Sequence, residues 1–474
     1  MRSFFSKRCF SKQRGIISDL NELKNLVNTS GDKQVKSIHL GFSTNYSSLA
    51  TVEVDPKKFL NDYANNGILI DGKTFYSDIN GKYFMDANKT KDRKFLLKPD
   101  LNSMRNIAWL DNNSVLIFGD IYDAETNAIS EVSPRGILRR KLDLFEKEGL
   151  TLNCASELEY YLYQNTYSKN KKKGLKHIQS IGPCPEDYVI QVGDLLEFVN
   201  EKYRTVLKDS GIEMETTKGE SSAGQHEINM KYSTALKQAD NALVLKAGMK
   251  AISEQNGASV SFMAKPDIVN AGSSCHLHLS VYDNAGKNIF VGNEYKLTET
   301  LTCSMNLLYF LGGIMKYSLD TFIMFAPTVN SYRRYKSFSW APTNLDSWSY
   351  DNRTSPFRIC GSGSNIRIEY RIPGGDANQY LSYSAVIAAG MKGLKEKIKP
   401  PEILKGSSYD SHHDFKRPPV DLNDSLKYFK SSELIKESFN KNEVEFLTKF
   451  YENEVLEYER HVTPQEHKRY FNLI

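Results

Sequence analysis

The sequence predicts a two-domain protein that combines β-strands with α-helices, and three observations support this prediction. The chain has 474 residues, which is more than one ordinary domain needs. Hydrophobic residues make up 40 % of it and charged residues 25 %, which is typical of a globular protein with a sizeable core. Short segments that alternate between polar and apolar residues stand among longer segments with helical periodicity, as expected of strands and helices.

The first domain is predicted to be rich in strands. A short amphipathic helix is expected within residues 16–35, and strands within 35–54 and at 114–121. The next helix is expected at 134–148, because proline stands at its start and glycine follows its end. We therefore place the domain boundary near 131–134, which gives an N-terminal domain of residues 16–131 and a second domain of residues 132–474.

The second domain is predicted to carry most of the helices. They are expected at 192–210, 234–256, 298–322 and 378–399, with a charged helical segment at 423–472. The apolar stretch around 307–315 is too short to cross a membrane, so no membrane partner is expected.

Charge and cysteine content narrow the function classes further. The net charge of +5 comes from 62 basic and 57 acidic residues, a surplus too small and too scattered to indicate a nucleic-acid partner. The six cysteines show no C-x-x-C spacing, which favours a reduced, intracellular compartment over a disulfide framework.

The first fifteen residues have a composition of their own. They carry five basic side chains and three serines, and no acidic residue occurs before Asp19. This pattern suits a mitochondrial transit peptide, and it suits a basic N-terminal tail equally well. A cytoplasmic location is expected in the second case and the mitochondrial matrix in the first.

Four predicted strands of the second domain carry polar groups on one face. Alternate residues of a strand share a face, and the aligned groups are Glu157 and Glu159; Gln225, Glu227 and Asn229; His276, His278 and Ser280; and Arg367, Glu369 and Arg371. Any one of these segments is more simply a surface strand with a solvated face. If the four belong to one sheet, however, the shared face forms a pocket lined with carboxylates and arginines.

The chemistry of such a pocket points to metal ions and phosphate. Glu157, Glu159 and Glu227, with Glu220 and Glu369 nearby, could not lie together in ionised form without cations. Carboxylates with one or two imidazoles suit Mg²⁺ or Mn²⁺ better than zinc. Arginines stabilise the charge that develops in phosphoryl transfer, and six fall between residues 330 and 373: Arg333, Arg334, Arg353, Arg358, Arg367 and Arg371.

Residues 67–74 fit the G-x-x-x-x-G-K-[ST] pattern of a phosphate-cradling loop. That loop requires a buried strand before it and a helix after it. The polar residues 61–66 do not suit a buried strand, and residues 75–82 lack helical periodicity. We therefore interpret residues 68–70 as a strand that leads into an Asp-Gly turn.

A series of short motifs resembles the class I glutamine synthetase family over nearly the whole chain from about residue 35. In the family's order, the motifs are LKPDLNSMRNIAW, SVLIFGDIYDAET, SELEYYLY, ESSAGQHEI, FMAKP, GSSCHLHLS, NSYRR, WAP, DNRTSPFRI and RIEYRIPGGDANQYL. One such motif could arise by chance, whereas the ordered series is highly specific.

The resemblance implies an α+β fold. A small β-grasp-like N-terminal domain is expected to precede a large catalytic domain, in which a curved antiparallel sheet is backed by helices. The resemblance also implies a homo-oligomeric ring with active sites between neighbouring subunits. The implied reaction phosphorylates the γ-carboxylate of glutamate with ATP, and ammonia or an amine then attacks the acyl phosphate. Two or more Mg²⁺ or Mn²⁺ ions per active site are expected to assist.

The resemblance further assigns roles to individual residues. One metal is expected at Glu159, Glu220 and Glu227, and a second, which holds the ATP phosphates, at Glu157, His276 and Glu369. Gly272, Arg334 and Arg371 match the glutamate-binding positions, where guanidinium groups pair with carboxylate. His278, Ser280, Arg358 and Arg367 match the ATP-binding positions. Arg353 matches the arginine near the transferring phosphoryl group.

Two departures from the family pattern concern the acceptor. In the ammonia-specific members, a glutamate that helps take a proton from ammonium precedes an Ala-Pro pair, and here that position is Trp340. An Asp-Gly-Ser-Ser motif, whose aspartate helps bind ammonium, corresponds here to residues 71–74. Asp71 is therefore a candidate catalytic residue, and Trp340 is expected in the acceptor pocket.

Three functions remain open from the sequence. The first is glutamine synthesis from glutamate and ammonia. The second is ligation of glutamate to a larger amine of the polyamine, ethanolamine or aniline type, which an apolar side chain in the acceptor pocket would favour. The third is a non-catalytic structural relative. Retention of all six expected metal ligands counts against the third, because buried charges are costly unless paired.

Overall fold

A computed structural model describes residues 16–472, apart from 87–89, 91, 111–112, 186, 337–339 and 411–413, and without the side chains of 191–195. The predicted transit peptide or basic tail at residues 1–15 lies outside the described residues. Among the described helices, none is long and apolar enough to cross a membrane.

The N-terminal part is built on a six-stranded mixed sheet with the strand order β2-β1-β6-β4-β3, in which β5 also pairs with β6. Its strands are β1 Ser37–Ser43, β2 Leu49–Val54, β3 Ile68–Asp71, β4 Lys94–Pro99, β5 Arg105–Asn106 and β6 Ser114–Asp123. The central strands β1 and β6 run parallel, whereas β2, β4 and β3 add antiparallel neighbours. The strands predicted within 35–54 and at 114–121 are therefore present.

The second part contains a nine-stranded sheet with the strand order β15-β16-β17-β12-β7-β9-β8, in which β10 and β11 also pair with β7. Its nine strands are β7 Leu150–Gln164, β8 Met214–Gly219, β9 Gln225–Met230, β10 Ser233–Thr234, β11 Ala258–Ser261, β12 Cys275–Asp283, β15 Trp348–Tyr350, β16 Phe357–Cys360 and β17 Arg367–Tyr370. A separate two-stranded sheet consists of β13 Tyr295–Lys296 and β14 Thr302–Cys303. The expected antiparallel pairing holds except between β15 and β16, which run parallel. The predicted α+β class is confirmed.

Helices cover one face of the large sheet. The described α-helices of four or more residues are Leu20–Asn28, Lys73–Tyr76, Pro134–Lys147, Tyr167–Lys172, Ile190–Lys208, Ala235–Gln255, Met305–Lys316, Ser318–Thr321, Arg333–Lys336, Gln379–Glu396, Leu422–Ser431, Glu433–Ser438, Lys441–Glu459 and Pro464–Tyr470. A π-helix, Phe59–Tyr63, lies between two three-residue helical segments in the N-terminal part. The helices that begin at Pro134 and Ala235 pack against β7, and the helix that begins at Gln379 packs against both. Since this face is closed by helices, the opposite face of the sheet is left for the polar side chains.

The single helix predicted at 298–322 is wrong in its bounds. The helix begins only at Met305, after the Ser304 side chain accepts a hydrogen bond from the Leu307 amide as an N-cap. It ends at Lys316, and a four-residue helix and a 3₁₀ turn follow. The sequence signal was misleading because the capping serine lies inside the apolar pattern.

The loop-like motif at 67–74 does not have the arrangement of a phosphate-cradling loop. The strand β3 lies inside the motif, whereas a phosphate-cradling loop has its strand before the first glycine. The Nζ atom of Lys73 stands 5.9 Å from the centre of the Tyr83 ring. The position of β3 agrees with the interpretation of residues 68–70 as a strand that leads into an Asp-Gly turn.

A buried ion cluster joins the two parts of the chain. The guanidinium of Arg135, which is 1 % exposed, lies 2.7 Å from the carboxylate of Asp100 and 3.0 Å from that of Asp240. It also pairs with Asp120. Because Asp100 and Asp120 belong to the N-terminal part, this cluster fixes that part against the helix that begins at Ala235. The boundary at 131–134 itself stays a prediction.

Candidate active site

The four strands with a polar face lie side by side in the large sheet. The register pairs Glu157 with His276 on one side of β7 and with Asn229 on the other. It also pairs Glu159 with Glu227, and His278 of β12 with Glu369 of β17. The four strands therefore belong to one sheet, as the predicted pocket requires, and their polar groups share one face.

One group of three carboxylates gathers at the β8–β9 end of this face. Glu159, Glu220 and Glu227 each place one carboxylate oxygen so that the three oxygens lie within 4.8 Å of one another. The amide of Ser274 donates a 2.7 Å hydrogen bond to Oε2 of Glu159 and fixes that side chain. Three oxygen donors at this spacing fit a hard divalent cation such as Mg²⁺ or Mn²⁺.

The electrostatics of this group favour a cation as well. Burial, and then the charges of Glu157 and Glu159, raise the pKa of Glu227 to about 9. Burial and the charge of Glu159 also raise the pKa of Glu220. A bound divalent cation would offset the mutual repulsion that contributes to both shifts, and so would favour the ionised carboxylates.

This shift gives a testable pH dependence. Glu227 is raised above the ordinary glutamate pKa, so without metal it keeps its proton until about pH 9. Metal binding needs the carboxylate, so Mn²⁺ affinity is expected to rise with pH up to that value. Calorimetry at neutral pH in two buffers of different ionisation enthalpy is expected to show a proton released as Mn²⁺ binds.

Glu227→Gln, which cannot release a proton, provides the matched control. The same titration on this variant is expected to show weaker Mn²⁺ binding and a smaller proton release. Equal Mn²⁺ affinity at pH values on either side of neutrality, with no proton released by the unaltered protein, would contradict the assignment.

A second group lies next to the first, around Glu157. The Nδ1 atom of His276 lies 3.2 Å from Oε2 of Glu157 and 3.4 Å from Oε1 of Glu369. The Nε2 atom of His278 lies 2.8 Å from Oε1 of Glu157. Glu157, His278 and Glu369 also place one ligand atom each within 4.8 Å of one another. Both imidazoles therefore adjoin the predicted pair of carboxylates.

The two imidazoles differ in what else they contact. The Nε atom of Arg367 donates a 3.1 Å hydrogen bond to Nδ1 of His278. Arginine has no acceptor, so Nδ1 of His278 carries no proton and Nε2 donates to Glu157. His278 is thus fixed between Arg367 and Glu157, whereas Nδ1 of His276 faces both carboxylates.

Arginines surround the fully buried Glu369. Its carboxylate lies 2.7 Å from Nη1 of Arg358 and 2.5 Å from Nη1 of Arg371. Burial alone would raise the pKa of Glu369, but the charge of Arg371, the largest opposing cause, outweighs it and the pKa is lowered to about 2. Burial also acts to raise the pKa of Glu157. Hydrogen bonds from His276 and His278 outweigh burial and hold this pKa well below its usual range. Both carboxylates therefore stay ionised at neutral pH.

Two cavities open on this face and meet at Glu157, which lines both. The first cavity, of about 310 Å³, is lined by His278, Ser280 and Arg367 among others. The second, of about 430 Å³, contains the first carboxylate group together with the following side chains: Gly272, His276, Arg334, Trp340, Arg353 and Arg371. The predicted ATP-binding and glutamate-binding residues thus fall largely into separate, adjoining spaces.

The predicted glutamate-binding residues contact one another. A Cβ atom on Gly272 would lie 2.7 Å from Cγ of Arg334, so only glycine leaves room for this side chain. Nη1 of Arg334 donates a 2.7 Å hydrogen bond to the carbonyl of Ile372. Since backbone and Glu369 hold Arg334 and Arg371 in place, the two guanidinium groups are set in advance for an anionic ligand.

The structure does not bring every predicted site residue together. Arg358 pairs with Asp351 and Glu369 and is not among the residues that line the first cavity. Asp71 lies at the end of β3, where its carboxylate is 3.3 Å from Nζ of Lys94. Within one chain, Asp71 lines neither cavity.

Two further residues of the site were not predicted from the sequence. Lys218 on β8 pairs with Glu220 and lies 3.9 Å from Glu227. Its Nζ atom stands 5.4 Å from the centre of the Tyr188 ring, and both side chains line the second cavity. Lys218 could have been suspected from its position two residues before Glu220, whereas Tyr188 lies in a loop without a motif.

Comparison with known proteins agrees with this site. A family model described as glutamine synthetase, catalytic domain, matches residues 131–470. The chain belongs to the glutamine synthetase family. Members of the family use ATP and divalent metal, and this chain is a glutamate–ammonia or glutamate–amine ligase of that family.

Both glutamate–amine ligases and glutamine synthetases are among the relatives of this chain. Glutamate–isopropylamine ligase of a Pseudomonas species is 32 % identical over 385 residues, which is 80 % of this chain and 81 % of the relative. The γ-glutamylethanolamide synthetase GlnA4 of Streptomyces coelicolor is 30 % identical over 377 residues, or 80 % and 79 %. Glutamine synthetase of Pyrococcus furiosus is 30 % identical over 461 residues, or 93 % and 98 %.

The fold also matches that of a solved structure. The ligand-free structure of GmaS superimposes with a TM-score of 0.81 at 24 % identity, covering 96 % of this chain and all of that one. The predicted family and fold class are therefore confirmed.

Proposed function

We propose that this chain joins the γ-carboxylate of glutamate to an organic primary amine through a γ-glutamyl phosphate formed with ATP. The observation that carries the choice of acceptor is Trp340, which lines the second cavity beside the carboxylate group and the two arginines. Its side chain is 59 % exposed, so the indole offers an open apolar surface to a ligand in that cavity.

The two acidic groups suit two divalent cations. In this proposal Glu159, Glu220 and Glu227 hold one ion, while Glu157, His276 and Glu369 hold the other. When bound, Mg²⁺ or Mn²⁺ would neutralise phosphate oxygens and promote phosphoryl transfer. His278 serves instead to orient Glu157, because Arg367 already occupies its other ring nitrogen.

The two cavities suit the two anionic substrates. ATP occupies the first cavity, with His278, Ser280 and Arg367 along its wall. Glutamate occupies the second, where Arg334 and Arg371 bind carboxylate and the backbone at Gly272 lies against them. Because Glu157 lines both cavities, the γ-phosphoryl group and the γ-carboxylate would meet beside it.

In this proposal Arg353 acts on the transfer of the γ-phosphoryl group from ATP to glutamate. Arg353 is exposed and lines the second cavity, and in this proposal its guanidinium stabilises charge on the transferring phosphoryl group. The γ-carboxylate oxygen attacks the terminal phosphorus and ADP leaves. The unprotonated amine then attacks the acyl carbon, phosphate leaves as the acyl–oxygen bond breaks, and the nitrogen gives up one proton to the departing phosphate. The amide thus forms with the consumption of one ATP.

The proposed acceptor follows from the loss of a carboxylate. A glutamate at the position of Trp340 would attract ammonium and take its proton, whereas an indole does neither. An apolar wall stabilises the alkyl part of an amine, at about 0.8 kcal/mol for each buried methylene. An alkylamine therefore gains binding energy here that ammonium does not.

Glutamine synthesis from ammonia is the second candidate. The observation in its favour is the coverage of the Pyrococcus furiosus glutamine synthetase, 98 % of which aligns with this chain. Both candidates share the metal, ATP and glutamate sites, so the acceptor alone separates them.

We further propose a homo-oligomeric ring with active sites between subunits. The position of Asp71 motivates this proposal, because within one chain Asp71 lines neither cavity. An acceptor role for Asp71 therefore requires a neighbouring subunit. Light scattering of the purified protein tests the proposal, and a monomer with full activity would contradict it.

The acceptor is tested by glutamate-dependent phosphate release from ATP with Mg²⁺. Ammonium is compared with methylamine, isopropylamine, ethanolamine, spermidine and aniline, and omission of glutamate provides the blank. We expect one amine to exceed ammonium in kcat/KM by about 10-fold or more, the discrimination that one apolar group supplies. A preference for ammonium would establish the second candidate instead.

A further inference from the structure

A short segment that follows the helix Gln379–Glu396 in the chain, residues 406–409, lies against the turn that carries Arg353, and we call it the brace segment. The chain just before it is fixed to β15. The amide of Leu404 donates a 2.9 Å hydrogen bond to the carbonyl of Trp348, and the Ser349 hydroxyl donates one of 2.9 Å to the carbonyl of Leu404. The brace segment therefore starts from a rigid part of the large sheet.

The brace segment holds both sides of the Arg353 turn. Nδ2 of Asn352 donates a 2.8 Å hydrogen bond to the carbonyl of Gly406. The amide of Ser408 donates one of 2.9 Å to Oγ1 of Thr354, and its hydroxyl donates to the carbonyl of Thr354. Because Asn352 and Thr354 flank Arg353, these contacts fix the backbone from which the arginine extends.

The last residue of the brace segment reaches the acceptor side. The hydroxyl of Tyr409 donates a 3.3 Å hydrogen bond to the backbone carbonyl of Trp340. Trp340 has a φ of +55°, in the left-handed region that a bulky side chain adopts only when its surroundings hold it there. The contact with Tyr409 is one such restraint.

Tyr409 also lies close to the two arginines at the glutamate side. Burial raises the pKa of its hydroxyl, and the charges of Arg371 and Arg334 oppose that rise. The hydroxyl therefore stays protonated at neutral pH and remains a donor to Trp340. One tyrosine thus adjoins both the acceptor residue and the arginines.

We propose that Tyr409 is a positioning residue for acceptor selection, which holds Trp340 in place at the wall of the second cavity. The brace segment, to which Tyr409 belongs, also fixes the turn that carries Arg353. Acceptor binding and phosphoryl transfer therefore depend on the same segment. This inference rests on the proposed ligase function. It adds to that function a residue that touches neither metal nor phosphate.

The test is Tyr409→Phe, which removes the hydroxyl and keeps the ring. We expect the KM for the preferred amine to rise about 5-fold to 10-fold, the usual effect of one lost hydrogen bond, while the KM for ATP changes less than twofold. Tyr428→Phe, at a partly exposed tyrosine of the helix Leu422–Ser431, is the matched control. An amine KM within twofold of the unaltered protein would overturn the proposal.

A double-mutant cycle separates positioning from general damage. If Tyr409 acts through Trp340, Tyr409→Phe is expected to have less than a twofold effect on the amine KM when Trp340 is already alanine. The same 5-fold to 10-fold loss in that background would overturn the proposal, because the effect would then bypass the indole.

Fluorescence gives a test that does not depend on turnover. Of the three tryptophans, Trp348 is 1 % exposed, Trp109 is half-buried and Trp340 is 59 % exposed, so Trp340 contributes most to acrylamide quenching, and Trp340→Phe gives the background from the other two. Quenching is expected to increase in Tyr409→Phe, and unchanged quenching would overturn the proposal. If no acceptor supports turnover, the proposed function fails while this measurement still decides the role of Tyr409.

Discussion

Replacement of Glu159 by alanine is expected to reduce metal-dependent turnover by about 100-fold or more. Glu159 supplies one of three carboxylate oxygens within 4.8 Å, and it is fixed by the Ser274 amide. Loss of one of three ligands weakens a divalent site strongly, and the metal chemistry depends on that site. The measurement is glutamate-dependent phosphate release at saturating Mg²⁺, together with an Mn²⁺ titration.

The fold is expected to survive this change. Removing Glu159 relieves repulsion, because its charge contributes to the raised pKa of both Glu227 and Glu220. The elution volume and melting temperature should therefore stay close to those of the unaltered protein. Glu433→Ala, which removes a surface carboxylate paired with nearby Lys436, is the control and should retain full activity. Full activity of Glu159→Ala would refute the metal assignment.

Replacement of Trp340 by glutamate is expected to shift the acceptor preference toward ammonium by about 10-fold or more, which corresponds to about 1.4 kcal/mol. The change removes an apolar surface from the cavity wall and introduces a carboxylate that attracts ammonium. Both residues carry a Cβ, so the cost of the left-handed backbone at this position is similar for both. The measurement is the ratio of kcat/KM values for the preferred amine and ammonium.

Trp340→Phe is the matched control for this shift. Phenylalanine keeps an apolar ring without adding charge, so its acceptor ratio should stay within a few-fold of that of the unaltered protein. If glutamate and phenylalanine at this position gave the same ratio, Trp340 would not determine the acceptor.

The polar face of the large sheet could be predicted because strand geometry is local. Residues two apart in a strand share a face wherever the strand lies, so Glu157 and Glu159 had to point together. That β7, β9, β12 and β17 are neighbours could not be derived in this way. Their pairing spans more than 200 residues, and it followed only from the resemblance to a family.

Other features depended on contacts that the sequence pattern does not encode. Lys218 lies on β8, whose half-exposed residues show no clear alternation, so the strand and its lysine were missed. The helix expected at 298–322 was placed too early, because the capping role of Ser304 is set by its hydrogen bond and not by periodicity. The contact between Tyr409 and Trp340 joins positions 69 residues apart and leaves no local signal.

In the proposed mechanism, the terminal phosphoryl group of ATP is transferred to the γ-carboxylate of glutamate before the amide forms. Incubation of the protein with ATP, Mg²⁺, the preferred amine and glutamate carrying ¹⁸O in its γ-carboxylate tests it most directly. Each released phosphate is expected to carry one ¹⁸O atom, because the attacking carboxylate oxygen leaves with the phosphoryl group. Phosphate free of ¹⁸O, released while the amide forms, would contradict it.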